Sequence, residues 1–232
     1  MDMIEFAGVT SHALGIILPE YYGRKLPIRR VTTKTIPGKH GFIIEDEGVY
    51  ANYTDRYTLY WLPEQTSDDQ VFSWLRQDGY HKLVDSRFPE VYRMARVTSV
   101  DEVENHRDCY HETEVYFDCR PQAFLFSGQQ AVQVSSGTIL LNPTVYKALP
   151  LIEVTGSGAA QLTMGSVTVS ILDNPNGILF IDSDTQNVYD STGYQNEKVS
   201  ALEFPFLGPG KTQISWTGSI TGVKITPRWW KL

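Results

Sequence analysis

Alternation of apolar and polar positions is the dominant pattern along this chain, and it predicts strands almost throughout. In "SVTVSIL" (166–172) Val167, Val169 and Ile171 share one face, as period two requires. "ILFID" (178–182) follows across "DNPNG", a dense turn signal that predicts a hairpin. In "CYHETEVYFDCR" (109–120) Thr113, Val115 and Phe117 oppose Glu112, Glu114, Tyr116 and Asp118. "VYANYTDRYTLYWL" (49–62) and "VYRMARVTSV" (91–100) are rich in β-branched and aromatic residues, again a strand signature. "PLIEVTG", "KTQISWTG" and "GVKITPRWW" add short strands between Gly and Pro turns.

One segment has the other period. In "SDDQVFSWLRQDGY" (67–80) Val71, Trp74 and Leu75 fall at i, i+3 and i+4, a single apolar stripe. Ser67 and Gln70 have capping-box spacing, Asp68 and Asp69 sit at the positive end of the dipole, and Gly79 supplies the stop.

The last strand raises a question of cover. Val223, Ile225, Pro227 and Trp229 keep the apolar phase of "VKITPRWWKL", so Trp230 points to the opposite face. Trp230, with Arg228 beside it, is therefore expected at an interface with the first domain or a neighbouring subunit. Arg29 and Arg30 lie in "GRKLPIRRVTTK" (23–34), where five Lys and Arg are interleaved with apolar residues. That interleaving reads as a charged strand or interface edge, not a nucleic-acid patch.

Charge divides the chain. Residues 1–130 hold 14 Lys/Arg and 20 Asp/Glu, and 131–232 hold 6 and 7, so charged residues are about twice as frequent in the first part. The second part is rich in Gly, Ser, Thr and Asn, and two domains are expected, 1–130 and 131–232. The first is mostly strands with one helix, the second a β-sandwich. The 232 residues suffice for a sizeable core, and 41% apolar content is that of a globular protein. A net charge of −7 argues against holding duplex nucleic acid by counterion release, while suiting a channel wall past which DNA slides. The opening "MDMIEFAGVT" has an acidic second residue and no apolar run, so no signal peptide is expected. No aliphatic stretch is long enough to cross a membrane.

Candidate chemistry is sparse. Cys109 and Cys119, ten apart on one extended strand, would lie about 33 Å apart, too far for a disulfide. Two free, buried thiols in a reducing compartment are expected. "GSGAAQLTMG" (156–165) has the Gly-x-Gly-x-x-Ala of a dinucleotide loop, but a strand pattern follows where a helix is required. A hairpin turn is expected there. "DSDTQN" (182–187) has Gln186 and Asn187 where a calcium loop needs an oxygen ligand and Gly, so it reads as a turn. "HRDCYH" offers His106, Asp108, Cys109 and His111, but an extended segment cannot converge all four on one metal. Glu112 and Glu114 are explained by solvated alternation, and no nucleophile elbow occurs. No catalytic, cofactor or metal site is expected.

"LPLIEVTGSGAAQLTMG", "ILFIDSDTQNVYD", "FPFLGPGKTQISWTG" and "ITPRWWKL" together resemble the second domain of distal tail proteins. These proteins serve long, non-contractile-tailed phages of Gram-positive hosts. "MIEFAGVTSHALGI", "VFSWLRQDGYHKLVDS" and "VYFDCRPQAF" are similar to that family's first domain. The resemblance spans nearly the whole chain. It implies an N-terminal β-sandwich with one helix that forms a six-membered ring, and a C-terminal galectin-like β-sandwich projecting from it. The implied role is a structural hub of the virion tail tip, assembled in the host cytoplasm, with no enzymatic activity. Its implied partners are copies of itself, the tail tube protein, the tail-tip protein and receptor-binding proteins. Galectin-like describes a fold and does not confer sugar binding. "LLNPTVY" carries Leu140 and Thr144 at the His and Arg places of a sugar-binding galectin, and "TGS" follows Trp216, so that polar cradle is absent. The rival reading is a carbohydrate-binding module using aromatics such as Trp216 or Tyr189. A wall hydrolase is the remaining alternative, and it lacks an identifiable acid/base pair.

Overall fold

The structure is a computed structural model that describes residues 2–19, 25–107, 109–174 and 177–232. It divides into two compact units, Met1–Ala123 with Leu232, and Phe124–Lys231.

The first unit is built from β1 (Ile4–Phe6), β2 (Val9–Thr10), β3 (Arg29–Lys34), β4 (Ile43–Tyr50), β5 (Tyr53–Trp61), α1 (Asp68–Leu75), β6 (His81–Asp85), β7 (Val91–Val100), β8 (Glu104–His106) and β9 (Tyr110–Leu125). Its main sheet runs β9-β7-β6-β1-β2, and β5 and β8 also pair with β9. Thr113, Val115, Phe117 and Cys119 of β9 are all buried, following the alternation of the sequence. Val115, Phe117 and Cys119 meet Leu59 and Trp61 of β5, Ile4 and Phe6 of β1, and the helix stripe Val71, Trp74 and Leu75 in one core. Phe6 meets Phe117 edge-on at 5.1 Å, a favoured aromatic geometry. Trp74 donates Nε1–H to the Phe6 carbonyl at 3.1 Å, so the helix is tied to the sheet by a directed bond as well as by burial.

The helix start has the predicted chemistry. Ser67 Oγ accepts from the Gln70 N–H at 3.3 Å, and Gln70 Oε1 accepts from the Ser67 N–H at 2.9 Å. Each bond satisfies a donor that a helix terminus leaves open. Ser67→Ala is expected to lower the unfolding free energy by about 1 kcal/mol, read as a shift of the urea midpoint. Thermal or urea curves that overlay those of the wild type would contradict that assignment.

The cysteines do not share an environment. Cys119 is buried, and its thiol is pushed up to about 12, chiefly by burial. Cys109 is exposed, against expectation, because the strand begins only at Tyr110. Cys109 sits in the preceding turn, where its N–H donates to the His106 carbonyl at 3.0 Å.

The second unit comprises β10 (Val132–Val134), β11 (Ile139–Asn142), β12 (Leu151–Met164), β13 (Val167–Ile171), β14 (Ile178–Asp182), β15 (Asn187–Asp190), β16 (Gly193–Tyr194), β17 (Val199–Ser200), β18 (Gly210–Thr226) and β19 (Trp230–Lys231). Two long bent strands, β12 and β18, organise it. One pair of their ends, Leu151–Thr155 against Gly222–Thr226 in sequence order 151–155 and 222–226, carries β10 on β18 and then β14, β15 and β16 outward from β12. The other pair, around 160–164 and 214–218, carries β11 on β18, and β13 with β17 on β12. Both halves turn Ile152, Val154, Leu162, Met164, Val169, Leu179, Ile181, Ile214, Val223 and Ile225 into a single core, the arrangement of a sandwich.

Three local expectations are corrected by this topology. The stretches 166–172 and 178–182 do not form a hairpin with each other. Both pair with the same edge of β12, with Ile171 opposite Ala160 and Ile178 opposite Thr155; of the turn between them, Pro175 and Asn176 lie outside the described residues. "GSGAAQLTMG" is not a turn over its length but the bulged middle of β12, and the turn comes only at its last residue, Gly165. Likewise "KTQISWTG" and "GVKITPRWW" are not separate strands, since β18 runs through from Gly210 to Thr226. Glycine explains both bulges. A Cβ on Gly156 would stand 2.3 Å from the Ser219 carbonyl oxygen, and Gly218 has a φ of +85° with Ala159 O only 2.7 Å from where its Cβ would be. The chain bends where two backbones touch.

Candidate interaction site

Strands β3 and β4 form a two-stranded ribbon that pairs with no other strand among the described residues. Their register sets Val31 opposite Asp46, Thr32 opposite Glu45, Thr33 opposite Ile44 and Lys34 opposite Ile43, with a bulge between Arg29 and Val31. Opposite charges bind the two strands: Arg29 Nη1 to Asp46 Oδ2 at 2.6 Å, Arg30 Nη2 to Glu47 Oε2 at 3.0 Å, and Lys34 Nζ to Glu45 Oε2 at 2.6 Å. Asp46 also accepts from the Gly48 N–H at 2.8 Å, and that bond, with help from Arg29, holds its carboxyl below the usual range. Arg29 further lies over the Tyr50 ring at 5.3 Å.

The ribbon has no core of its own. Every residue of β3 and all of β4 but Tyr50 is exposed. Ile28 is 72% exposed, Phe42 71% and Ile44 66%, and Leu26, Val31, Ile36, Ile43 and Val49 are exposed as well. Exposed ion pairs contribute little to stability, and an isolated two-stranded hairpin is marginal in water. So many large apolar side chains in one segment mark a surface made to be covered. Arg29 and Arg30 thus lie on this ribbon as strand-to-strand partners; Gly23 and Arg24 of the same basic stretch lie outside the described residues.

Trp230 and Arg228 lie elsewhere, at the end of the second unit. Trp229 is buried in the core, as its phase predicts. The Trp230 ring stacks on Tyr146 at 4.3 Å and 21°, and its Nε1–H donates to the Lys147 carbonyl at 2.9 Å. Part of its cover therefore comes from its own unit. Arg228 takes a left-handed φ of +57°, and its N–H donates to the Gly128 carbonyl at 2.7 Å. Its guanidinium forks onto Asp182 at 2.6 and 3.1 Å. Burial pushes the Asp182 carboxyl up, but the Arg228 fork and the N–H groups of Asp184 and Thr185 outweigh it, leaving the carboxyl below its ordinary value.

The sequence motifs resolve into ordinary structure. "DSDTQN" is a turn whose first carboxylate serves Arg228, and Gln186 turns it at a φ of +54°. His111 Nδ1 lies 2.7 Å from Asp68 Oδ1, whereas His106 stacks on Tyr110 at 4.4 Å, so the two histidines serve different neighbours; Asp108 is outside the described residues. Glu112 accepts from Tyr60 at 3.0 Å, and Glu114 pairs with Arg56 at 3.1 Å.

The fold has a counterpart among solved structures. SPP1 Dit (gp 19.1), described as a paradigm of the hub adsorption apparatus in Gram-positive-infecting phages, aligns with 97% of this chain and 98% of its own, at a TM-score of 0.73 and 16% identity. The fold is that of Dit. No family model and no curated protein matches the sequence. The Dit likeness extends over both units.

Proposed function

We propose that this chain is a structural hub of a phage tail tip and performs no catalysis. In this reading six copies form a ring that joins the tail tube to the tail-tip protein, leaves a channel for DNA, and presents its second unit to receptor-binding proteins. The virion tail is its place of action, after assembly in the host cytoplasm. The observation that carries the proposal is the exposed apolar ribbon on a fold shared end to end with a tail hub protein. A net charge of −7 supports the channel role, since an acidic wall does not hold DNA by counterion release.

A closed ring presents one surface of each copy to a different surface of the next. The ribbon fits that demand, with a basic strand beside an acidic one to fix orientation and apolar side chains to supply affinity. Trp230 and Arg228 are proposed to border a second contact, to the first domain or a neighbouring copy. Negative-stain electron microscopy with light-scattering mass tests the reading. Six copies of 26.3 kDa give about 158 kDa, and six-fold rings with a central hole are expected. A protein that stays monomeric at high concentration, even when mixed with its tail tube and tail-tip proteins, would overturn it.

A further inference from the structure

We propose that the outer face of β14, β15 and β16 is a binding platform for an uncharged pyranose chain, a second role that does not depend on the hub reading. The register sets Glu153, Phe180, Tyr189 and Tyr194 opposite one another in one row across β12, β14, β15 and β16. Opposed residues share a sheet face. The intervening positions Leu179, Ile181 and Val188 are buried in the core, so this row faces outward.

The row places aromatic surface where solvent reaches it. Phe180 and Tyr189 stack at 5.3 Å and 16°, which fixes the inner ring pair. Tyr194, on the edge strand, is 73% exposed. Tyr189 and Tyr194 line an open cleft of about 380 Å³ floored by Asp182, Asn187 and Gly193. No hydrogen bond from either phenol hydroxyl to another described residue is found, so both are free to donate and accept. A pyranose ring has this same duality: an apolar face of C–H bonds that covers an aromatic ring, and a rim of hydroxyls that needs donors and acceptors. Tyr supplies both from one rigid side chain at low entropic cost.

Charge selects among saccharides. Asp182 and Asp190 line the cleft, with Asp184 in the adjoining turn and Glu153 at the far end of the row, against Arg228 and Lys224, and both cations are already engaged, with Asp182 and Glu153. A phosphate-bearing polymer would meet an excess of negative charge, and a neutral one would not. The large aliphatic side chains that mark a protein-docking surface are also few here: Ile178 is the one exposed neighbour in β14, in contrast to the ribbon. The cleft lies apart from the positions that a sugar-binding galectin would use, Leu140, Thr144 and Trp216; Trp216 packs on the core instead.

The test uses the full chain and saturation-transfer NMR with two neutral hexasaccharides, chitohexaose and maltohexaose, and with poly(glycerol phosphate) as the anionic comparison. Saturable binding of at least one hexasaccharide is expected, and none of the polyanion. Tyr194→Ala should weaken that binding about tenfold, the loss of one aromatic contact, whereas Tyr194→Phe should keep most of it. Because Tyr194 is exposed, the thermal midpoint should not move. Absence of signal from both sugars, preference for the polyanion, or unaltered binding by Tyr194→Ala would each overturn the proposal. So would loss of binding in Trp216→Ala with the fold intact, or a change of oligomeric mass in Tyr194→Ala, which would mean that another copy covers this face.

Discussion

Arg228→Ala should lower the unfolding free energy by about 3 kcal/mol, because it leaves the buried Asp182 carboxylate without its counter-charge. Asp182 is buried, and it accepts the Arg228 fork at 2.6 and 3.1 Å and two backbone N–H groups besides. The pair as a whole contributes little, since its desolvation opposes its attraction, but half of it is costly. The sign with pH follows. The folded Asp182 carboxyl lies below its unfolded value of 3.8, so its contribution is complete above that value and is lost as pH falls through the folded one. Without Arg228, burial is opposed only by the N–H groups of Asp184 and Thr185, and the carboxyl rises. The defect should therefore be largest at neutral pH and shrink in acid, where Asp182 is protonated in both proteins. Arg228→Gly should lose about 1 kcal/mol less than Arg228→Ala, since the left-handed backbone at φ +57° suits glycine. Urea unfolding at several pH values reads all three effects. A pH-independent defect would mean that Arg228 acts through packing and not through Asp182.

What was legible in the sequence is what short-range chemistry determines. The helix start needed only Ser67, Gln70 and the Val71, Trp74, Leu75 spacing, and all of these act within two turns. Strand β7 matches the apolar stretch 91–100 because alternation needs no partner to be seen. Pairing was not legible. Nothing local says that β13 and β14 share one edge of β12, because that is decided by where β12 bulges at Gly156. The glycines that permit the bulge look like turn residues in one dimension, which is how one long strand came to be read as two. The interaction surfaces divide in the same way. Arg29 and Arg30 stand out by charge density, but that their strand pairs only with β4 is hidden, because nothing local to 28–44 names a partner strand. The Phe180, Tyr189, Tyr194 row exists only after three strands are registered. For Trp230, alternation sets it opposite Trp229 but cannot find its stacking partner Tyr146, more than eighty residues earlier, or its packing on the core of its own unit.

The largest effect is expected at the ribbon. The triple variant Ile28→Ser, Phe42→Ser, Ile44→Ser should fold as the wild type and fail to assemble. Each of these side chains is at least 66% exposed, so none contributes much to the stability of a single copy. Burial of a large aliphatic or aromatic side chain contributes about 1.5–3 kcal/mol. Losing three from one contact therefore costs about 5 kcal/mol or more, a weakening of roughly three to four powers of ten. Assembly at micromolar concentration should disappear while the thermal midpoint of the monomer holds. Reversing the charges tests orientation separately. Arg29→Asp with Asp46→Arg keeps the pair within the ribbon but inverts the pattern shown to a neighbour, and should slow assembly in a salt-dependent way. Sedimentation of the three proteins distinguishes the contributions. If the triple variant still assembles, the ribbon is not the contact, and the apolar surface of β11, where Ile139 and Leu141 are exposed, is the next place to cut. If it fails to fold, the ribbon belongs to the core of its own unit, and its exposed apolar side chains would have to be explained without a partner.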